Sequence, residues 1–280
     1  WGWRSGMLGI ALAGVLVLAG MALFWRRVRK PPVNHAAALS WEPYRRGFSN
    51  LHNLKGVFSY SLSFGMYYVV LTVVGKKFLE DAGGFAPSKA AFCCSVMVLL
   101  SALCNQVSGI LSAMSGNRRR PFILLQTAMV PAGSLLVLAG LLGVPQGPVR
   151  GLLLVTGFLL ITFASGFSPV TNAIMREVNP PALTGVGVAI GNFSAYAFVA
   201  ILGTLSGGVL DAFRSRAQAD VSGALRYPDA AYLVLFGIYL LIGLGAHAMA
   251  HRLKETHGQN IHEGRTLTVR LLGCHFTLRA

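Results

Sequence analysis

Between Arg118-Arg119-Arg120-Pro121 and Pro145 the chain reads FILLQTAMVPAGSLLVLAGLLGV, residues 122–144, with no Asp, Glu, Lys or Arg inside. A helix needs about 20 apolar residues to cross the hydrocarbon core of a bilayer. In lipid the backbone must satisfy its own hydrogen bonds, which helices do and open strands do not. The stretch lacks the ten-residue alternation of an outer-membrane barrel strand. A membrane-spanning helix is the reading, with three arginines fixing one end.

The same pattern recurs along the chain. Met7–Trp25, Val57–Val74, Ala90–Met114, Gly151–Ile174, Val186–Leu210 and Ala231–Ala250 are also long, apolar and free of interior charge. Composition agrees. Of 280 residues 54% are hydrophobic and 12% charged, where a soluble domain carries about 25% charged residues. The expected fold is an all-α polytopic membrane bundle of seven transmembrane helices.

The net charge of +15 raises the question of nucleic acid, which the placement of the basic residues answers. The densest clusters, Arg26–Lys30 and Arg118–Arg120, are two spans apart, so parity puts them on one side. That side also collects Arg45, Arg46, Lys55, Arg176, Arg252 and Lys254, thirteen in all, against eight on the other. By the positive-inside rule that side is cytoplasmic. Residue 1 is expected outside and the C-terminus in the cytoplasm, in a multi-pass cell (inner) membrane protein. The charge records topology and contact with anionic lipid; no nucleic-acid partner is expected.

The first apolar run has the wrong flanks for a signal peptide, whose positive charges come before the apolar core; here Arg26, Arg27, Arg29 and Lys30 come after it, and the chain starts at Trp1. The expected organisation is a helix over 1–25, a central cytoplasmic loop over 26–55, a six-helix unit over 56–254 and a polar tail over 255–280. The loop opens on Pro31-Pro32 and holds an amphipathic stretch around Trp41–Leu54. No element is assigned to the tail.

After the third span the chain reads Gly109-Ile-Leu-Ser-Ala-Met-Ser-Gly116-Asn-Arg118-Arg119-Arg120. This resembles the cytoplasmic loop signature of the major facilitator superfamily, G-x-L-x-D-R-x-G-R-R, which recurs in weakened form between helices 8 and 9. Gly109, Leu111, Gly116 and Arg118 match, with Arg119 beside them; Ala113 and Met114 replace the acidic and the first basic residue. Trp1-Gly2-Trp3-Arg4 is similar to the G-W-R before helix 6. Glu177-Val-Asn-Pro180-Pro181-Ala-Leu-Thr-Gly185 is similar to the loop between helices 10 and 11. The resemblance covers about residues 1–255. It implies helix 6 plus the C-terminal six-helix half of a twelve-helix transporter, with the first five helices absent from this chain.

That resemblance also implies that the second and fifth spans line a solute cavity near the bilayer midplane. Polar residues inside a span are costly unless they face protein or water. Ser61, Gly65, Tyr68 and Thr72 follow i, i+4, i+7, i+11 spacing and share a helical face. Thr162, Ser165 and Asn172 share another, with Pro169 able to bend the helix between them; Asn192, Asn105 and Gln106 add amides. These are candidates to hydrogen-bond a polar organic solute. The alternative is that each hydroxyl bonds back to its own helix and each amide joins a neighbouring one. Arg176 and Glu177 are a candidate gate pair, or else a solvated interfacial pair.

Other signals point to packing. Gly187/Gly191 and Gly203/Gly207 have the small-xxx-small spacing of close helix contacts. His247 and His251 have the i, i+4 spacing of a metal pair, with His257 and His262 nearby. No carboxylate accompanies them as in H-E-x-x-H, and a histidine at a helix exit ordinarily meets water, so no metal is expected. The cysteines form no C-x-x-C. No catalytic constellation lies at a common depth, so neither enzyme activity nor a cofactor is expected.

The functional expectation is a secondary active or facilitative transporter of a small organic solute, any coupling ion being bound by the missing half. Two alternatives stay open. One is a drug or metabolite efflux pump, given Tyr60, Phe64, Tyr67 and Tyr68; the other is a transporter-like membrane sensor or scaffold.

Overall fold

All seven apolar stretches fold as helices long and apolar enough to cross a membrane, each extended by a few residues beyond its apolar core. The computed structural model describes residues 3–27, 41–219, 223–261, 266–271 and 274–279, the last two segments and residues 3, 26 and 27 by backbone alone. Trp1 and Gly2 of the opening motif, Arg29, Lys30 and Pro31-Pro32 of the central loop, and His262 lie outside the described residues.

Residues 1–41 and 42–280 form two units. The first holds α1 (Trp3–Arg27). The second opens with α2 (Glu42–Ser49), followed by α3 (Leu51–Val69), one π-helical turn over Val70–Val74, and α4 (Gly75–Asp81). Next come α5 (Pro87–Met114), α6 (Arg120–Gly143), α7 (Pro148–Gly166), α8 (Ser168–Glu177), α9 (Thr184–Ala212) and α10 (Asp229–His251). The chain is an all-α polytopic bundle. Two small antiparallel hairpins decorate it: β1 (Gln218–Ala219) with β2 (Leu225–Arg226), and β3 (Thr266–Leu271) with β4 (Cys274–Arg279).

Asn50 divides the amphipathic stretch expected around Trp41–Leu54. Its Oδ1 accepts from the backbone N–H of His52 and Asn53 at 3.1 and 3.3 Å, an N-cap that starts α3 as a new helix. The β3–β4 hairpin falls in the tail to which the sequence assigns no element. Thr-Leu-Thr-Val-Arg-Leu alternates with the period of two that suits a strand, a pattern hydropathy alone does not register.

In lipid, helix contacts are made by close packing rather than by escape from water, so small residues decide who meets whom. In the second unit α6 lies against α7 and α10, α3 against α9 and α10, and α5 against α7. A Cβ on Gly133 would sit 2.5 Å from the Gly157 carbonyl oxygen, and one on Gly157 would sit 2.6 Å from that of Gly133. The α6 and α7 backbones therefore touch at this crossing. On α10, a Cβ on Gly243 would come within 3.0 Å of the Pro131 ring of α6. Gly187 and Gly191 of α9 abut Asn179 and Met175, but a Cβ on Gly203 would come no nearer than 3.9 Å to Val69, and Gly207 has open space around it. The expected second glycine pair is thus a loose contact at most. Around these crossings Phe78, Phe158, Tyr232, Phe236 and Tyr239 are fully buried in one cluster.

The bend expected at Pro169 separates α7 from α8 at Phe167. Proline has no N–H to offer the Ser165 carbonyl. The Ser168 hydroxyl donates to that oxygen instead, at 2.6 Å. The buried Gln126 of α6 donates its Nε2 to the Ala164 carbonyl and accepts from Thr171 Oγ1 at 3.0 Å. A side chain from the neighbouring helix thus serves a carbonyl at the break.

Candidate functional site

The candidate cavity residues separate into two groups. Ser61, Thr162 and Ser165 are buried. Ser61 Oγ donates to the Gly191 carbonyl of α9 at 3.5 Å, and Gly65 faces the Phe198 backbone and Leu202 of the same helix. Ser165 shares a hydrogen bond with Ser101 of α5. Ser61 and Ser165 therefore join helices, whereas the buried Thr162 hydroxyl makes no hydrogen bond among the described residues; half of the polar face expected on α3 is turned into the α9 contact. Tyr68 and Asn172 are half-buried, while Thr72 and Asn192 are exposed. Thr72 Oγ1 donates back to the Tyr68 carbonyl at 2.7 Å; Asn105 likewise donates to the Ser101 carbonyl at 2.9 Å.

Around Tyr68 the structure assembles an aromatic surface from α3 and α9. Phe64 stacks between Tyr60 and Tyr68, with centroids 5.5 and 5.8 Å away. Tyr196 of α9 stands edge-on to both Phe64 and Tyr68, at 5.9 and 6.3 Å. The Tyr60 hydroxyl is directed toward Ser168 of α8. Asn172 is one turn beyond Ser168 on α8, and Asn192 one turn before Tyr196 on α9, so both share these faces. Tyr196 remains 59% exposed. The result is a wall of three helices with phenol, hydroxyl and amide groups set among aromatic rings. Ser168 and Tyr196 were not singled out in the sequence; their i, i+4 spacing from Asn172 and Asn192 was the available signal.

The second polar assembly lies at the end of the bundle marked by Arg118–Arg120. Gly116 at φ +71° and Asn117 at φ +56° turn the chain from α5 to α6. Positive φ suits glycine and asparagine above other residues, which accounts for Gly116 of the loop motif. Gly109 has open space around it and Leu111 is exposed. Arg118 contributes its carbonyl, which accepts from Ser112 Oγ at 2.8 Å. The Arg119 side chain turns inward. Its Nε and one terminal nitrogen donate to Glu177 Oε1 at 3.1 and 3.0 Å, and the other donates to Ser112 Oγ at 2.7 Å.

Glu177 of the candidate gate pair therefore bonds Arg119, while the Arg176 side chain is exposed on the surface. Adjacent residues on a helix point about 100° apart. Glu177 can face inward only by turning Arg176 away.

The segment after α10 ties this assembly together. Glu255 accepts from the backbone N–H of Arg119 and Arg120 at 2.7 and 3.0 Å, capping the start of α6. Burial pushes its carboxyl up, but four backbone N–H donors, those of Arg119, Arg120, His257 and Thr256, outweigh this and hold it below its ordinary range. Thr256 Oγ1 donates to Glu177. Asn260 Nδ2 donates to the Arg176 and Asn179 carbonyls at 3.0 and 2.8 Å, and the Ile261 N–H donates to the Glu177 carbonyl at 2.9 Å. On the other side of the same turn Asn179 Nδ2 donates to Asn53 at 2.7 Å and Asn50 Nδ2 to the Val178 carbonyl at 2.7 Å. The Glu177–Pro181 motif is the joint on which α3, α6, α8 and the chain after α10 converge.

The other end is held by Asp81, which is buried at the close of α4. It accepts from the Tyr232 hydroxyl at 2.8 Å and the Tyr227 N–H at 2.9 Å, and Lys77 pairs with it at 2.8 Å. Arg150 of α7 and Asp229 of α10 pair at 2.6 Å. Among the described residues no three His, Cys, Asp or Glu side chains gather as a metal centre. No known protein-family model matches the chain, and no curated protein matches it.

Proposed function

We propose that this chain is part of a membrane transporter of the major facilitator type, moving a small organic solute by alternating access across the cell (inner) membrane. On this reading α1 corresponds to helix 6, and α3 to α10 form the C-terminal six-helix half. The basic end of the bundle faces the cytoplasm. The observation that carries the reading is the wall of Tyr60, Phe64, Tyr68, Ser168 and Tyr196 within membrane-length helices. Phenol and hydroxyl groups inside a span cost free energy unless they face protein, water or a ligand, and Tyr196 stays largely exposed. A second half supplies the opposite wall.

The joint at Glu177 supports the same reading. Alternating access needs two packings of nearly equal free energy, and an ion pair with replaceable partners at one end of the helices provides a contact that can form and release. The aromatic character of the wall also favours efflux of flat, apolar metabolites within the same class of transporter. Proteoliposomes holding the full-length gene product test the proposal. Uptake or release of a solute down an imposed gradient is expected, with Tyr68→Ala and Asn172→Ala changing its apparent affinity but not insertion. Absence of movement for every solute class, under proton, sodium and solute gradients, overturns it in favour of a ligand-reporting sensor.

A further inference from the structure

The last turn of α10 carries His247 and His251, whose Nε2 atoms lie 3.1 Å apart. The protonation of the first ring follows from its neighbours. Thr127 Oγ1 of α6 sits 2.9 Å from His247 Nδ1, and it also sits 2.9 Å from the Ile123 carbonyl of its own helix. A carbonyl only accepts, and a hydroxyl has one proton, so the Thr127 proton goes to Ile123. Toward His247 the hydroxyl accepts, which puts the ring proton on Nδ1. His247 Nε2 therefore keeps a bare lone pair aimed at His251.

Two arrangements bring imidazole nitrogens this close, a shared proton or a shared cation, and the ring geometry separates them. The centre of an imidazole lies about 1.15 Å from its nitrogens, so a straight N–H···N bond of 3.1 Å sets the centroids about 5.4 Å apart. Two rings converging on one cation at Zn–N distances of about 2.05 Å subtend about 98° there and set the centroids about 4.8 Å apart. The observed separation is 4.6 Å with the rings at 85°. His251 is exposed, which gives solvent access to the point of convergence.

We infer that His247 and His251 form a chelating site for a borderline divalent cation of the Zn2+ class. Imidazole suits Zn2+, Ni2+ and Cu2+ above the oxygen-seeking Mg2+ and Ca2+. Thr127 is the positioning residue, holding His247 in the tautomer a metal requires, as the outer hydrogen-bond partner of a ligating histidine does. With two protein ligands the remaining positions are taken by water, so the ion exchanges with solution.

The test is Zn2+ titration by calorimetry of the full chain, free of any polyhistidine tag, in detergent micelles, with Co2+ absorption bands as a second readout. One saturable equivalent is expected. His247→Ala and His251→Ala should each abolish it, although all but one of the seven histidines remain in either variant. Thr127→Val should weaken it about tenfold at unchanged helical content, and Thr127→Ser should restore it. A wild-type chain that takes up no saturable Zn2+, or His247→Ala and His251→Ala variants that bind like wild type, overturns the assignment and leaves a proton-sharing pair.

Discussion

Arg119 and Glu177, 58 positions apart in sequence, meet through three hydrogen bonds with side chains only 13% and 11% exposed. The pair joins the turn before α6 to the last residue of α8, a meeting of two connections that hydropathy does not register. At this burial each charge depends on the other. Truncating one partner of such a pair costs about 3–5 kcal/mol, because the survivor stays desolvated and unpaired.

The first prediction follows from that dependence. Arg119→Ala and Glu177→Gln should each lower stability in detergent by about 3 kcal/mol, read as a shift in the midpoint of denaturant unfolding. The double variant should cost clearly less than the sum, since each single change already breaks the contact. Arg176→Ala, whose side chain is exposed, should cost under about 0.5 kcal/mol. Additive losses at Arg119 and Glu177 would remove the pair from the joint.

Glu255 carries the second. Its carboxyl is held below the ordinary value by four backbone N–H groups. A carboxyl depressed on folding contributes stability that is present above its unfolded pKa, about 4.3. That contribution is lost as pH falls through the lower folded value. Hydrogen exchange at the Arg119 and Arg120 amides should therefore accelerate on acidification below about pH 4.3, relative to the Glu255→Gln variant at each pH. Equal behaviour of the two chains at every pH counts against the cap.

Glycine contacts give the third. Gly133→Ala or Gly157→Ala drives a methyl to within 2.5–2.6 Å of the facing backbone oxygen, so α6 and α7 must separate. A loss of about 1–3 kcal/mol is expected for each, the usual scale of overpacking. Gly207→Ala meets nothing within 4 Å. It should be neutral or stabilising by up to about 1 kcal/mol, since alanine is the better helix former. Thermal shifts of the three variants rank them directly.

At the opposite end Asp81→Asn keeps shape but places an amide donor where the carboxylate accepts from Tyr232, Tyr227 and Lys77. It should cost about 2–3 kcal/mol, against about 1 kcal/mol for Tyr232→Phe, which removes one bond. A Tyr232→Phe loss equal to that of Asp81→Asn would mean the ring, not the carboxylate, organises this end.

The seven spans were legible because one physical requirement, backbone satisfaction in lipid, writes itself as a long uncharged run such as residues 122–144. The aromatic wall was half legible. Tyr60, Phe64 and Tyr68 fall on one helix and share a periodicity, whereas Tyr196 joins them across α9, and one-dimensional spacing carries no signal for such a pairing. The joint at Glu177 was less legible still. Arg119, Glu255 and Asn179 are short-range neighbours of loops, and which of two adjacent side chains turns inward at Arg176-Glu177 depends on how α8 is rotated by its packing. Gln126 reads as a lone polar residue in an apolar span, and its use appears only when the break in α7–α8 supplies a carbonyl in need of a donor.

That use yields the last prediction. The Ala164 carbonyl accepts from Gln126 because the helix is interrupted at Phe167, and the Ser165 carbonyl accepts from Ser168 because Pro169 brings no N–H. Gln126→Leu leaves the first carbonyl buried without this donor and leaves Thr171 Oγ1 the more distant Phe167 carbonyl, at 3.4 Å, to donate to. A loss of about 1–3 kcal/mol follows from leaving such a group unsatisfied. Pro169→Ala restores an N–H at 169 and permits a continuous helix, in which the Ser168 N–H can serve Ala164 and Gln126 becomes dispensable. The cost of Gln126→Leu should accordingly shrink by at least half in the Pro169→Ala background, a coupling that a double-mutant cycle isolates. If Gln126→Leu costs the same in both backgrounds, Gln126 stabilises α6 packing and takes no part in holding the bend. If the coupling is found and the proposed transport function holds, Pro169→Ala alone should also slow solute movement in the proteoliposome assay, because a continuous α7–α8 is stiffer at Phe167 than the interrupted one.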